Sequence, residues 1–174
     1  MSKILFTGSC ACHRISYTST SPPTATTHCY CSTCRKLSGT SHQAFTHIPS
    51  SALTLYDNTS SLRYEGLPKD SIGGIAYLRL SDFAERAVCA TCRTPLAMRY
   101  KAEEGSVGIA VGSVDSKGVG AEVERALRPE KAIFLASKPA WVEVEGGEGV
   151  RRFEGWGDGF SEEFVRGMEG GNVG

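Results

Sequence analysis

The chain has no excess of charge of either sign. Its 174 residues carry 19 Lys and Arg against 19 Asp and Glu, a formal net charge of zero. That balance argues against the broad electrostatic attraction that duplex nucleic acid or an anionic membrane surface requires. No apolar run approaches the roughly 18 residues of a membrane-crossing helix. The opening stretch, MSKILFTGSC, holds one lysine and an apolar run too short for the core of a secretory signal. The expectation is a cytoplasmic protein with neither nucleic-acid nor membrane partners. There is no internal repeat and no clear linker, so residues 1–174 read as a single domain, with a core of about 5–145 and a C-terminal extension of 146–174. An eighth cysteine is also missing. The seven present (Cys10, Cys12, Cys29, Cys31, Cys34, Cys89 and Cys92) cannot all pair in disulfides, and a reducing compartment disfavours such pairs anyway. Metal binding is the reading that remains.

Helix is scarce as well. STCRKLSG, residues 32–39, reads as one or two turns with Ser32 as N-cap and Gly39 as stop, and SEEFVRGMEG as a short helix capped by Ser161. Elsewhere short apolar stretches alternate with turn residues: KILFTG, HRISYTS, QAFTHI, ALTLYD, SLRYEG, GIAYLRL, PLAMRY, VGIAVGSV, KAIFLAS and AWVEVE. The 20 glycines, above the roughly 7% of average usage, suit many tight turns. STSPPTATT reads as an exposed loop and EGGNVG as a frayed tail. The fold class expected is mainly β, of antiparallel strands with one or two short helices.

The cysteines separate by spacing. In Cys10-Ala-Cys12 an extended backbone turns both sulfurs to one side, and Cys89-Ala-Thr-Cys92 presents two more from a turn. Two such pairs make a closed, four-sulfur tetrahedral zinc site. In Cys29-Tyr-Cys31-Ser-Thr-Cys34 the first two sulfurs share a face and the third follows by one helical turn, so all three converge. Nothing sulfurous is left to complete this second set. Either a histidine among His13, His28, His42 and His47 fills the position, or it stays open, as in catalytic zinc sites. Three thiolates leave zinc electron-rich and net negative. Such a centre activates water poorly and favours another soft ligand, a substrate thiolate. Arg35 and Lys36 follow Cys34 and are candidates to offset that charge or meet a carboxylate on the substrate. His42, with a pKa suited to neutral pH, is the candidate acid or base.

Three motifs together carry a resemblance. GSCACHRISY (8–17), CYCSTCRKLSG (29–39) and CATCRTPL (89–96) resemble the motifs of the glutathione-dependent formaldehyde-activating enzyme family, which also includes centromere protein V. VGSVDSKG and AIFLASKPAWVEV look like the family's closing strands. The resemblance implies a β-tent zinc-binding fold and carbon–sulfur lyase activity on a thiol adduct such as S-hydroxymethylglutathione or a related glutathione conjugate. It implies two zinc ions per chain, a structural one on Cys10, Cys12, Cys89 and Cys92 and a labile catalytic one on Cys29, Cys31 and Cys34. The other reading is a non-catalytic scaffold or protein-interaction module with two closed zinc sites. The chain departs from the family pattern at His13 and Arg93, which stand where the pattern has glycine, and at Tyr30, which replaces a histidine. If the two turns need positive φ, each side chain there costs on the order of 1–2 kcal/mol.

Overall fold

The computed structural model describes residues 3–169, so the segment read as a frayed tail lies outside the described residues from position 170 onward. In chain order the strands are β1 (Phe6–Ser9), β2 (Ile15–Ser19), β3 (Thr26–Cys29), β4 (Gln43–Pro49), β5 (Leu53–Asp57), β6 (Leu62–Glu65), β7 (Ile75–Leu78), β8 (Ala84–Cys89), β9 (Pro95–Tyr100), β10 (Ser106–Ala110), β11 (Pro129–Ile133) and β12 (Arg151–Arg152). The helices are α1 (Ser32–Ser38), α2 (Ala121–Ala126) and α3 (Glu162–Glu169). A four-stranded antiparallel sheet runs β1-β2-β5-β6, and an eight-stranded sheet runs β12-β11-β3-β4-β10-β9-β8-β7. The protein is mainly β with few short helices. The large sheet is mixed, because β11 lies parallel to both β3 and β12.

Alternation builds the small sheet. Ile15, Tyr17 and Ser19 of β2 face inward, as do Leu53, Leu55 and Asp57 of β5. Ile15, Tyr17, Leu53 and Leu55 pack with Phe6, Ile75, Leu96, Val107 and Ile109 in one core that also contains Cys10 and Cys89. Full burial of a Leu or Ile contributes about 1.5–3 kcal/mol. A glycine is required where β1 meets this core. A Cβ at Gly8 would lie 2.1 Å from the Tyr17 ring and 2.4 Å from the Ser113 carbonyl oxygen. The Tyr17 and Ser113 hydroxyls, 2.9 Å apart, share a hydrogen bond there.

Several elements differ from the sequence reading. AWVEVE forms no strand. STSPPTATT is not simply an exposed loop, since it begins at the end of β2 and runs into β3, with Pro23 buried between. α2 adds a third helix, and Ser32 is not the cap of α1. Cys31 is: its Sγ accepts the Cys34 N–H at 3.4 Å, while Gly39 closes the helix in the left-handed conformation at φ 68°. The cap at the other end of the chain is as read, with Ser161 Oγ accepting the Phe164 N–H at 3.1 Å. The strands β3, β8 and β12 were not expected; β3 and β12 are only four and two residues long, and β8 is buried at all six positions, so it shows no alternation to read.

Candidate metal centres

The large sheet separates the cysteines by face. Cys89, at the end of β8, joins the core between the sheets. Cys29, at the end of β3, opens onto the opposite side with Phe45 of β4 and Met98 and Tyr100 of β9.

On the first face the turn after β1 brings Cys10 and Cys12 to Cys89 and Cys92. The four Sγ atoms lie within 4.8 Å of one another, with Cys10 to Cys12 at 3.5 Å and Cys12 to Cys89 at 3.7 Å. A zinc tetrahedron with Zn–S of about 2.3 Å has sulfur–sulfur edges of about 3.8 Å, so this donor set fits the ion. The Ile15 N–H donates to Cys10 Sγ at 3.3 Å. Burial pushes the Cys10 thiol up to about 12. At Cys92 burial is outweighed by hydrogen bonding with Thr94, which brings the thiol down to about 5. A metal here must displace protons from the resistant members, and binding is therefore coupled to pH. His13 and Arg93 both have positive φ, at 58° and 64°.

On the second face Cys29, Cys31 and Cys34 also converge within 4.8 Å, and they are only 7%, 7% and 2% exposed. Among the described residues no histidine or carboxylate joins that set. Hydrogen bonds from the Cys29 and Cys34 thiols hold Cys31 far below its usual range, and the Arg86 guanidinium adds to that. Cys29, bonded to Cys31 and buried, is raised. One strongly acidic sulfur among three is a suitable start for a thiolate metal centre.

The other predicted residues fall elsewhere. His28 lies on the reverse of β3 from Cys29, 7% exposed, and its ring stacks on that of His42 with centroids 4.0 Å apart. Tyr30 also faces away from the cysteines, meeting His42 at 5.2 Å and accepting the Glu145 N–H at 3.0 Å. Burial lowers His28 to about 4 and lowers His42 as well. Arg35 is bound to carbonyls, donating to Tyr30 at 3.0 Å and to Ser137 at 3.3 Å, while Lys36 is exposed. None of His42, Arg35 and Lys36 lines the cavity over the three cysteines. That cavity, of about 60 Å³, is walled by Phe45, Phe83, Tyr100, Phe134, Trp156 and Phe160, with His47 and Arg86 as its titratable side chains besides the cysteines and Tyr100. The sequence reading missed Arg86. Its only sequence signal is the charged pair Glu85-Arg86 inside an otherwise apolar AERAVC.

The family described as glutathione-dependent formaldehyde-activating enzyme matches residues 5–137, a span that contains both cysteine sets. The chain belongs to this family. A Halomonas elongata protein that bears the formaldehyde-activating enzyme name as a provisional assignment is 29% identical over 157 residues, covering 89% of this chain and 90% of its own. A crystal structure of a Rhodobacter sphaeroides protein superposes at a TM-score of 0.44 and 15% identity, over 66% of this chain and 91% of that one.

Proposed function

We propose that the protein is a zinc-dependent carbon–sulfur lyase of the cytoplasm that makes or breaks a thiol adduct such as S-hydroxymethylglutathione or a related glutathione conjugate. One observation carries this reading: three buried, convergent cysteines lie at the base of a cavity, with no fourth ligand among the described residues. Cys10, Cys12, Cys89 and Cys92 would hold a structural ion, and Cys29, Cys31 and Cys34 a second one with an exchangeable position. A zinc ion there supplies stabilisation of a substrate thiolate as the carbon–sulfur bond forms or breaks.

The chain's own residues do the rest. The aromatic walls exclude water from the reacting carbon. His47, in the same cavity, takes the acid–base role first expected of His42 and moves the proton on the carbon-side oxygen. The cavity, of about 60 Å³, is far below the roughly 300–1,000 Å³ of a pocket that encloses a whole drug-sized ligand, so it does not enclose a whole tripeptide. The thiol's peptide portion would therefore lie outside, within reach of surface cations such as Lys36.

Cobalt substitution tests the reading. Adding glutathione to the cobalt-loaded protein should intensify the sulfur-to-metal charge-transfer band, and should do so much less in Cys31→Ser. An unchanged band in the wild type would sink the open position and return the protein to the scaffold reading.

A further inference from the structure

One guanidinium in the cysteine cavity faces the Cys31 and Cys34 thiols, yet part of its donor set is bound by nothing in the fold. Arg86 is 8% exposed, and its Nε and Nη1 have no hydrogen-bond partner among the described residues. Its neighbour on β8 is treated very differently. Glu85 is bound by Arg79 at 2.7 Å and by Arg99 at 2.7 Å. Desolvating a guanidinium with its N–H groups unpaired is costly, and the group is kept where something outside the fold completes it. Strand alternation turns Arg86 to the side of the three cysteines, and the cavity lining contains no carboxylate.

We propose that Arg86 is a catalytic residue that binds the carbon-side oxygen of the thiol adduct, and that the cavity selects adducts of apolar, aryl-bearing aldehydes over the formaldehyde adduct. This rests on the lyase reading. In the forming direction the thiolate sulfur attacks the carbonyl carbon, the carbon–sulfur bond forms, and the carbonyl π pair moves onto oxygen. The unpaired Nε and Nη1 of Arg86 donate to that alkoxide until a proton delivered through His47 neutralises it. Cleavage reverses each step and releases aldehyde and thiolate. No oxidant or reductant is needed. The guanidinium stays charged throughout, so it acts as a fixed donor pair where charge develops.

The preference for an apolar aldehyde follows from the walls. Phe134 meets Trp156 edge-on at 4.9 Å, and Trp156 meets Phe160 edge-on at 5.0 Å. Formaldehyde has no apolar body for such surfaces to hold, whereas an aryl group does.

The test uses the metal-loaded full chain. Exchange NMR follows benzaldehyde and formaldehyde against their glutathione adducts, and cobalt spectra follow the metal and the thiol. Arg86→Gln should slow benzaldehyde exchange by about 100-fold or more. It should bind cobalt and shift the thiol-dependent band as the wild type does. Wild type should favour the benzaldehyde adduct over the formaldehyde adduct by about tenfold or more. Exchange retained by Arg86→Gln within about threefold would overturn the assignment, by the scale of a single lost donor. Loss of cobalt or of the thiol band would also overturn it, because Arg86 would then serve the cysteine centre. Equal exchange of both adducts would refute the preference. A wild type that binds thiol yet speeds neither exchange refutes the lyase reading itself. Should Arg86→Gln not fold, Trp141→Phe removes the tryptophan that is 86% exposed and leaves Trp156 as reporter. Its emission should respond to benzoate and far less to benzyl alcohol. Equal responses would mean that no oxyanion site exists.

Discussion

His13 and Arg93 stand in the same left-handed backbone conformation, at φ 58° and 64°, each directly after the second cysteine of its pair. The two turns answer one another: the His13 N–H donates to the Cys10 carbonyl at 2.8 Å and the Arg93 N–H to the Cys89 carbonyl at 3.0 Å. Both turns need positive φ to bring the sulfurs together, and neither has the residue that adopts it without strain. Relief of about 1–2 kcal/mol, less the extra unfolded-state entropy of glycine of about 0.5–1 kcal/mol, leaves a net gain. His13→Gly and Arg93→Gly should each stabilise the metal-loaded protein by about 0.5–1 kcal/mol, read as a higher denaturant midpoint. A lower midpoint would mean that the side chain contributes more than its strain costs.

Cys89→Ser should prevent folding, while Cys31→Ser should leave the protein folded and short of one metal ion. Cys89 is fully buried in the core between the sheets, and a structural zinc contributes about 10–16 kcal/mol in small metal-dependent peptides, comparable to a domain's net stability. The three-cysteine site is itself buried, so Cys31 is not simply a surface ligand. Its sulfur caps α1, however, and serine is a favoured N-cap that preserves this bond. Circular dichroism with metal analysis reads both variants, and matching melting temperatures would refute the division into structural and labile centres.

The proton should move through His47 and not through His42. His47→Ala should slow adduct exchange by about 100-fold or more, a usual scale for a general acid or base, with metal content unchanged. His42→Ala should exchange like the wild type, since His42 lies behind β3 against His28. Loss of exchange in His42→Ala with both metals present would place the chemistry on the other side of the sheet.

Asp57 is a structural anion. It is fully buried and accepts from Arg14 at 3.2 Å, from the Gly74 N–H at 2.7 Å and from the Thr59 hydroxyl at 2.7 Å. Burial alone would raise its carboxyl, but the hydrogen bonds from Arg14 and Thr59 hold it well below the usual range. A depressed folded-state pKa contributes stability above the unfolded value of about 3.9 and loses it as pH falls towards the folded value. Asp57→Asn should cost about 2 kcal/mol, discounted because Arg14 is partly exposed. The gap to wild type in urea midpoint should hold level between pH 8 and pH 5. A gap that shrinks within that window would assign the effect to another group.

The grouping of the sulfurs and the turning-away of His28 and Tyr30 were legible in the sequence, because neighbours two or three residues apart have their sides set by local backbone geometry. The mainly β class was legible for the same reason, through alternation in β2 and β5. The cap of α1 was misread by one residue, since a cysteine is not an expected cap and becomes one here through its position at the end of an extended segment. β8 was invisible because a strand buried on both faces carries no period.

The amino-acid sequence by itself determined which atoms could hold a metal, as each donor set is assembled from short segments with fixed geometry. Only the tertiary structure decided what faces the three-cysteine centre. It set His47 and Arg86 in that cavity, left His42 behind the sheet, and closed the wall with Trp156 and Phe160. The physical reason is that these groups come from β4, β8 and the C-terminal segment, and no local periodicity encodes which distant faces will meet.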